Sequence, residues 1–213
     1  MRVVVLGAPG SGKGTQAAVL KGLYGIPHIS SGDILRAELA RGTELGKKAG
    51  LYMNAGGLVP DDLILAMIEA RLAEADVARG WLLDGFPRTL VQAHGLVELT
   101  DRIGQAVDAG VILHVDPEAV VRRLSGRRVC GKCQKVTNVA EAVSGACPNC
   151  RGPLILRPDD EPEVVRKRIQ VFELQTRPVF ELLRSRYALY DIDASTTPEQ
   201  VTDAIRKALR KHE

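Results

Sequence analysis

The sequence lacks the features that mark several large classes of protein. No uncharged apolar run approaches the roughly 18 residues that a membrane-spanning helix needs. Basic residues exceed acidic ones by only three, 29 against 26, a smaller surplus than a non-specific DNA binder carries. Cysteine is absent outside residues 130–150, which excludes a disulfide framework spread through the fold. The chain also has no internal repeat and no low-complexity tract, which excludes repeat architectures.

What is present is typical of a folded globular protein. Hydrophobic residues make up 45% of the sequence and charged residues 26%, which argues against disorder. A length of 213 residues predicts one domain with room for an insertion, because domains average about 150 residues. The apolar N-terminal run reaches Gly7 too early to form the core of a secretory signal, so we expect a cytoplasmic protein.

Short apolar runs alternate with helical patterns along most of the chain. The runs predict strands over residues 3–6, 81–84, 111–115 and 190–193. Helices are predicted over 13–24 and 161–186, and after N-capping residues near positions 31, 60, 89, 116 and 197. This alternation indicates βαβ units, and therefore an α/β fold with a parallel β-sheet flanked by helices. The segment from about 126 to 158 breaks the alternation and is interpreted as an insertion.

A glycine-rich loop, GAPGSGKGT at residues 7–15, stands between the first strand and the first helix. Its glycines let backbone N–H groups approach phosphate oxygens, and the helix N-terminus adds positive potential. Lys13 can reach the β- and γ-phosphates of a bound nucleotide. The loop departs from the pattern G-x-x-x-x-G-K-[ST] in one place, because Gly14 occupies the Ser/Thr position and Thr15 follows it.

Two other interpretations of this loop remain open. It can be a glycine-rich turn that binds nothing. Residues 12–17 also fit the dinucleotide pattern G-x-G-x-x-[GA], with Asp33 downstream as a possible ribose ligand. That match begins inside the expected helix and places a lysine between the glycines, so it fits poorly.

The four cysteines form two C-x₂-C pairs, Cys130 with Cys133 and Cys147 with Cys150, with 13 residues between the pairs. Such pairs can supply the four thiolates of a tetrahedral zinc site, and four thiolates leave no open position for catalysis. A segment this small cannot build its own core, so a metal would supply its fold. Two disulfides, which a reducing cytosol disfavours, and uncommitted thiols are the alternatives.

Three motifs occur in order along the chain, at residues 7–15 (GAPGSGKGT), 31–36 (SGDILR) and 83–89 (LDGFPRT), with further matches at 126–128 (GRR), 157–160 (RPDD) and 166–168 (RKR). Together these motifs make the sequence resemble the adenylate kinase family. The glycine in the Ser/Thr position of the loop is that family's own form of the motif. It implies reversible transfer of the γ-phosphoryl group of Mg-ATP to AMP, which gives two ADP.

The resemblance also implies an architecture and a set of ligands. We expect a P-loop-containing parallel β-sheet with a helical AMP-binding insertion and a small zinc-stapled lid. The core would comprise residues 1–29, 60–125 and 161–213, the AMP-binding segment residues 30–59, and the lid residues 126–160. The implied ligands are ATP, AMP, ADP, Mg²⁺ and a structural Zn²⁺, and the implied protein is a monomer that binds neither nucleic acid nor membranes.

The family motifs imply a role for each matching residue. The implied catalytic residues are Lys13, Asp84, Arg88, Arg127, Arg157 and Arg168. Asp84 ends its strand and is placed like a Walker-B acid that holds Mg²⁺ through water. The implied ATP-binding residues are Gly10, Ser11, Gly12, Lys13, Gly14, Thr15, Arg123, Arg127 and Thr197. The implied AMP-binding residues are Ser31, Arg36, Gly57, Leu58, Val59, Gly85, Phe86, Pro87, Arg88, Gln92, Arg157 and Arg168.

The residue types fit the chemistry of phosphoryl transfer. In this reaction the protein mainly positions groups and neutralises charge on the phosphoryl oxygens. An acceptor phosphate has a second pKa of about 6 and is largely ionised at neutral pH, so no general base is required. The chain accordingly offers a phosphate loop and 20 arginines, eight of them between residues 122 and 168.

Departures from the family pattern leave alternatives. Ser31 stands where AMP-specific members commonly have threonine, and a methyl in a pocket is worth ~1–3 kcal/mol, so a GMP or UMP/CMP acceptor is an alternative. Val136 and Thr137 replace the family's usual aromatic-His pair on the adenine of ATP. Gln92 can instead close a capping box with the hydroxyl residue three positions before it. A nucleic-acid-binding zinc ribbon at residues 130–150 is the alternative of a different class, and it leaves the phosphate loop unexplained.

Overall fold

The computed structural model describes residues 1–139 and 145–212. These residues form a five-stranded sheet, a separate three-stranded sheet and the helices around them. The strands are β1 (Arg2–Gly7), β2 (His28–Ser30), β3 (Trp81–Asp84), β4 (Ala109–His114), β5 (Arg127–Cys130), β6 (Val136–Asn138), β7 (Leu154–Ile155) and β8 (Ala188–Asp193). The helices are α1 (Lys13–Tyr24), α2 (Ser31–Arg41), α3 (Glu44–Asn54), α4 (Asp61–Leu72), α5 (Leu90–Arg102), α6 (Pro117–Gly126), α7 (Pro162–Val171), α8 (Val179–Arg184) and α9 (Pro198–Leu209).

The larger sheet is parallel throughout, in the order β2-β3-β1-β4-β8. Alternate residues of β1 enter two separate core clusters: Val4 packs with one, whereas Val3 and Val5 pack with the other. The sheet is therefore covered on both faces, which explains why its central strand is a continuous β-branched run. The predicted α/β class, a parallel sheet flanked by helices, is confirmed.

The strand register brings the candidate phosphate site to one edge of the sheet. Val5 of β1 and Ser30 of β2 both lie beside Asp84, the last residue of β3. The glycine-rich loop leaves β1 at this same edge, two residues after Val5. Open α/β sheets bind ligands outside the carboxyl ends of their strands, and this arrangement places the loop and Asp84 there together.

Outside residues 126–158, one strand and one α-helix were not predicted. The strand β2 has three residues, too few to show an alternating pattern. The helix α3 contains Gly46 and Gly50, which weaken helix propensity. Gly46 has a packing reason, because a Cβ there would lie 2.2 Å from the carbonyl carbon of Glu38 in α2. The close approach of α2 and α3 thus requires glycine at position 46. The same glycine lowers the helix propensity by which α3 could have been predicted from the sequence.

The predicted helix over 161–186 is interrupted. Its first part is α7 and its last part is α8, and a π-helical turn, Phe172–Thr176, lies between them. Pro178 follows that turn and has no N–H to continue an α-helical ladder. The prediction of one continuous helix is therefore wrong in the middle.

The smaller sheet is antiparallel, in the order β6-β5-β7, and β5 begins directly after α6 ends. Its three strands lie within the segment interpreted as an insertion. The predicted lid includes residues 140–144 and the predicted core includes residue 213, which lie outside the described residues. Across the part of the chain that is described, no helix combines the length and the apolar character needed to cross a membrane.

Candidate active site

A cleft of about 1050 Å³ lies at the carboxyl edge of the larger sheet. This cleft is lined by nearly all the residues that were predicted from the sequence to bind a nucleotide. They are Gly10, Ser11, Gly12, Lys13, Gly14, Thr15, Ser31, Arg36, Gly57, Leu58, Val59, Asp84, Gly85, Pro87, Arg88, Gln92, Arg123, Arg127, Arg157 and Arg168. Residues far apart in the sequence therefore meet around one space, large enough for a ligand of more than drug size.

Two of the predicted nucleotide-binding residues do not line the cleft. Phe86 is fully buried in the core cluster that also holds Trp81. Thr197 caps helix α9, where its hydroxyl accepts from the Gln200 amide and the Gln200 side chain accepts from the Thr197 amide. Phe86 thus packs in the core and Thr197 caps a helix. Direct contact with a nucleotide stays a prediction for each of them.

The phosphate loop curls around Lys13, the first residue of α1. The Lys13 ammonium donates to the Gly7 and Ala8 carbonyls, at 2.8 Å each. Gly10 has φ 77°, and a Cβ there would lie 2.9 Å from the Leu124 side chain, so the close turn requires glycine. Burial lowers the pKa of Lys13 to about 7, against the opposing effect of the Asp84 carboxylate.

Asp84 stands opposite the loop at the end of β3 and is 7% exposed. Its Oδ2 lies 3.1 Å from Nε2 of His28, a residue that the sequence did not single out. A Cβ on Gly14 would lie 3.6 Å from the same oxygen, an ordinary van der Waals contact, so the start of α1 and the carboxylate face each other closely. A carboxylate that faces a phosphate cleft is the oxygen ligand that Mg²⁺ prefers, and Asp84 fits that role.

Arginines converge on the cleft with their charges only partly compensated. Burial lowers the pKa of Arg88 to about 10, and the nearby Arg168 charge lowers it as well. Burial lowers the pKa of Arg157 to about 10, and the Arg36 charge contributes. The Nε of Arg157 is buried with no hydrogen-bond partner among the described residues. Crowded guanidinium groups with an unused donor form a site suited to a polyanion.

Two adjacent acids hold two of these arginines. Arg127 makes a two-pronged contact with the carboxylate of Asp160, with Nε donating to Oδ2 at 2.7 Å. Arg168 Nη1 donates to the Asp159 carbonyl at 2.7 Å and to Asp160 Oδ1 at 3.0 Å. The Asp160 side chain is fully buried. The sequence signal for this pair was the RPDD motif, whose acids were not among the candidate site residues.

The other end of the cleft is lined by α2, α5 and the loop after β3. Ser31 Oγ donates to the Gly85 carbonyl at 2.7 Å. Gln92 Oε1 accepts from the Arg88 amide at 2.8 Å, and Gln92 Nε2 donates to the Asp61 carboxylate at 2.8 Å. The capping-box alternative for Gln92 is therefore only half right. The N-cap Thr89 accepts from the Gln92 amide at 3.1 Å, but the Gln92 side chain turns to Arg88 instead.

The four cysteines form a compact cluster within the smaller sheet and its turns. All four Sγ atoms lie within 4.8 Å of one another, with 3.4 Å between Cys130 and Cys150 and 3.7 Å between Cys133 and Cys147. Bonds of ~2.3 Å to a tetrahedral zinc would separate the sulfurs by about 3.8 Å. A disulfide needs about 2.05 Å, and all four thiols are free. The geometry fits a metal and not two disulfides.

The two cysteine pairs have the same backbone form. The Gln134 amide donates to the Cys130 carbonyl at 3.0 Å, and the Arg151 amide donates to the Cys147 carbonyl at 2.8 Å. Gln134 and Arg151 have φ of 58° and 56°, the two positive values at described residues other than glycine. The Cys133 amide donates to Cys130 Sγ, which lowers the pKa of that thiol. The repeated turn presents paired thiolates to one centre.

Comparisons with known proteins agree with this geometry. The family model described as "Adenylate kinase" matches residues 5–187. The adenylate kinase of Fervidobacterium nodosum is 45% identical over 204 residues, 94% of either chain. That of Lachnospira eligens is 43% identical over 212 residues, covering 98% of this chain and all of the relative. That of Archaeoglobus fulgidus is 42% identical over 214 residues, 99% of each chain.

Proposed function

The chain belongs to the adenylate kinase family, and from that premise we propose how its residues divide the work. The protein is a phosphotransferase that moves the γ-phosphoryl group of ATP to AMP and back, with ADP as the product. The observation that carries the assignment is the convergence of the Lys13 loop and five arginines on one cleft (Arg36, Arg88, Arg127, Arg157 and Arg168). This set neutralises phosphate charge, which is the main task of the protein in phosphoryl transfer.

We propose that the donor nucleotide binds at the phosphate loop. The backbone amides of Gly10–Thr15 and the Lys13 ammonium would hold the β- and γ-phosphates, and Arg123 and Arg127 would hold the phosphate chain from the other side. Asp84, which lines the cleft beside the loop, would hold Mg²⁺ through water. When bound, Mg²⁺ would supply positive charge that offsets the negative charge of the phosphate groups.

The acceptor AMP would occupy the end of the cleft near α2 and α5. Arg36 and Arg88 would bind its phosphate, and the Ser31 region, residues 57–59 and Gln92 would contact the nucleoside. Arg157 and Arg168 would lie between the two phosphate groups and stabilise the charge of the transferred phosphoryl group. The acceptor oxygen is already ionised at neutral pH, so transfer needs alignment and not proton removal.

We propose that residues 30–59 and 126–160 act as an AMP-binding segment and a lid on the remaining core. Cys130, Cys133, Cys147 and Cys150 would bind a structural Zn²⁺ that makes the lid rigid. A rigid lid over ATP would exclude water, which would otherwise accept the phosphoryl group.

One assay tests the function and its nearest alternative together. Each of AMP, GMP, UMP and CMP is offered with Mg-ATP, and ADP formation is followed with a coupled enzyme. We expect AMP to be the preferred acceptor. Faster turnover of GMP, UMP or CMP would assign the chain to another nucleoside-monophosphate specificity, to which Ser31 points. Phosphorylation of none of them would contradict the proposed function.

The remaining proposals concern state and partners. We propose a monomer, because the described residues of one chain line the whole cleft. We propose a reducing compartment, the cytoplasm, because a site of four thiolates needs free thiols. We also propose that the cysteine segment does not bind nucleic acid. Salt-sensitive binding of an oligonucleotide, with no kinase turnover, would overturn that proposal.

A further inference from the structure

The π-helical turn Phe172–Thr176 lies beside the cleft. The Arg177 amide donates to the Phe172 carbonyl at 2.9 Å, which is the i→i+5 bond of a π turn. Such single turns inside helices occur frequently at functional sites. This one changes which side chains of the helical stretch face the cleft.

In a regular α-helix, side chains three, four and seven positions after Arg168 would share its face. The first two are Val171 and Phe172, and both line the cleft. The third is Gln175, which is exposed, whereas Thr176 lines the cleft and is only 7% exposed. The extra residue of the π turn thus brings Thr176, in place of Gln175, onto the face that carries Arg168.

Thr176 uses this position to bind the backbone of a distant residue. Its hydroxyl donates to the Arg88 carbonyl oxygen at 2.9 Å. That carbonyl precedes the N-cap Thr89 of α5 and so lies outside the hydrogen bonds of the helix. On the other side, the Arg88 amide donates to Gln92 Oε1. Side chains from two different helical segments therefore hold the two polar groups of the Arg88 main chain.

The guanidinium of Arg88 lies where charge repulsion opposes it. The charges of Arg168 and Arg36 act against it, and its Nε donates to the Gly85 carbonyl at 2.6 Å. A fixed backbone helps such a side chain to keep its direction against the repulsion. The support from Thr176 meets this need and also links the helix of Arg168 to the loop of Arg88.

We propose that Thr176 is a positioning residue for Arg88, whose main chain it fixes so that the guanidinium meets the acceptor phosphate. The inference rests on the proposed role of Arg88. Thr176 itself touches no reacting atom in this account. Its effect should therefore appear in the kinetics of AMP and not in those of Mg-ATP.

The first test replaces the hydroxyl and keeps the shape. We expect Thr176→Val to lower kcat/KM for AMP about three- to tenfold, the value of one hydrogen bond, with KM for Mg-ATP close to native. Thr176→Ser keeps the hydroxyl and should restore most of the loss. Thr100→Val is the matched control, because the buried Thr100 hydroxyl donates to the Leu96 carbonyl of its own helix, outside the cleft.

The second test is a double-mutant cycle with Arg88→Lys. If Thr176 acts through Arg88, adding Thr176→Val to the Arg88→Lys variant should lower kcat/KM for AMP further by less than about twofold. Additive effects, equal impairment by valine and serine, or native AMP kinetics in Thr176→Val would each overturn the inference. Native kinetics in Arg88→Lys would overturn the proposed role of Arg88 as well, which separates the two failures. Thr176→Ala supplies the same comparison if the valine variant does not fold.

Discussion

At the scale of single residues, the charge of Lys13 is linked to what the loop binds. Its ammonium hydrogen-bonds two loop carbonyls, and burial lowers its pKa to about 7. Phosphate oxygens at the loop favour the charged form and raise that pKa. At pH 8 the Lys13 side chain is thus mostly neutral when no nucleotide is bound. It becomes charged when a polyphosphate binds beside it. Nucleotide binding should therefore take up a proton.

Calorimetry can measure this uptake. We expect the heat of Mg-ATP binding at pH 8 to vary between buffers of different ionisation enthalpy, with up to one proton taken up per site. Affinity should fall as the pH rises above about 7, because deprotonated Lys13 must first be charged. Lys13→Met should abolish the uptake, and Lys21→Met, an exposed position on the same helix, should preserve it. Equal uptake by native protein and Lys13→Met would exclude Lys13 as the group.

Nearly all the residues that the family motifs assigned to nucleotide binding line the cleft, because these motifs are short runs that can be recognised in the sequence. His28 and Thr176 were not predicted. The position of His28 beside Asp84 depends on the register of a three-residue strand. That of Thr176 depends on a π turn that shifts the helical periodicity by one residue. Neither feature has a pattern that a sequence alone reveals.

At the scale of elements, the described part of the cysteine segment has little besides the cluster of four thiols to stabilise it. Its sheet has strands of four, three and two residues, which cannot enclose a core. Cys130 and Cys147 are buried, so the thiol cluster occupies the place of that core. Metal binding and folding of the segment should therefore be one event.

Cys147→Ser tests this coupling. We expect the variant to lose zinc and to melt roughly 5 °C or more below native, because one of four ligands is gone. Activity at low temperature should fall much less, since the cysteine cluster does not line the cleft. Cys147→His, which keeps a zinc ligand, is the matched control and should retain more metal. A melting temperature that stays unchanged both in Cys147→Ser and in native protein treated with EDTA would exclude a structural metal.

Elements with strong patterns were predicted, and the exceptions have physical causes. The strands at β1, β3 and β4 are continuous apolar runs because both faces of the sheet are covered. The helix α3 was missed because its glycines serve close packing against α2. The π turn was missed because a helical apolar period continues on both sides of it.

At the scale of the whole molecule, the distribution of charge matters more than its sum. A net charge of +3 gives little attraction for anions in general, yet eight of 20 arginines lie between residues 122 and 168. Asp159 and Asp160 compensate part of this concentration at the cleft. Partial compensation leaves enough positive potential to bind phosphates and limits the cost of releasing an anionic product.

One cleft is lined by nearly all the residues predicted to bind ATP and nearly all those predicted to bind AMP. Direct transfer requires ATP and AMP to be bound together, whereas a phosphorylated enzyme would bind them in turn. Initial velocities measured over a grid of Mg-ATP and AMP concentrations distinguish the two. We predict double-reciprocal lines that intersect, with two ADP formed for each AMP consumed. Parallel lines, or ADP formed without AMP consumption, would contradict direct transfer between two nucleotides bound together.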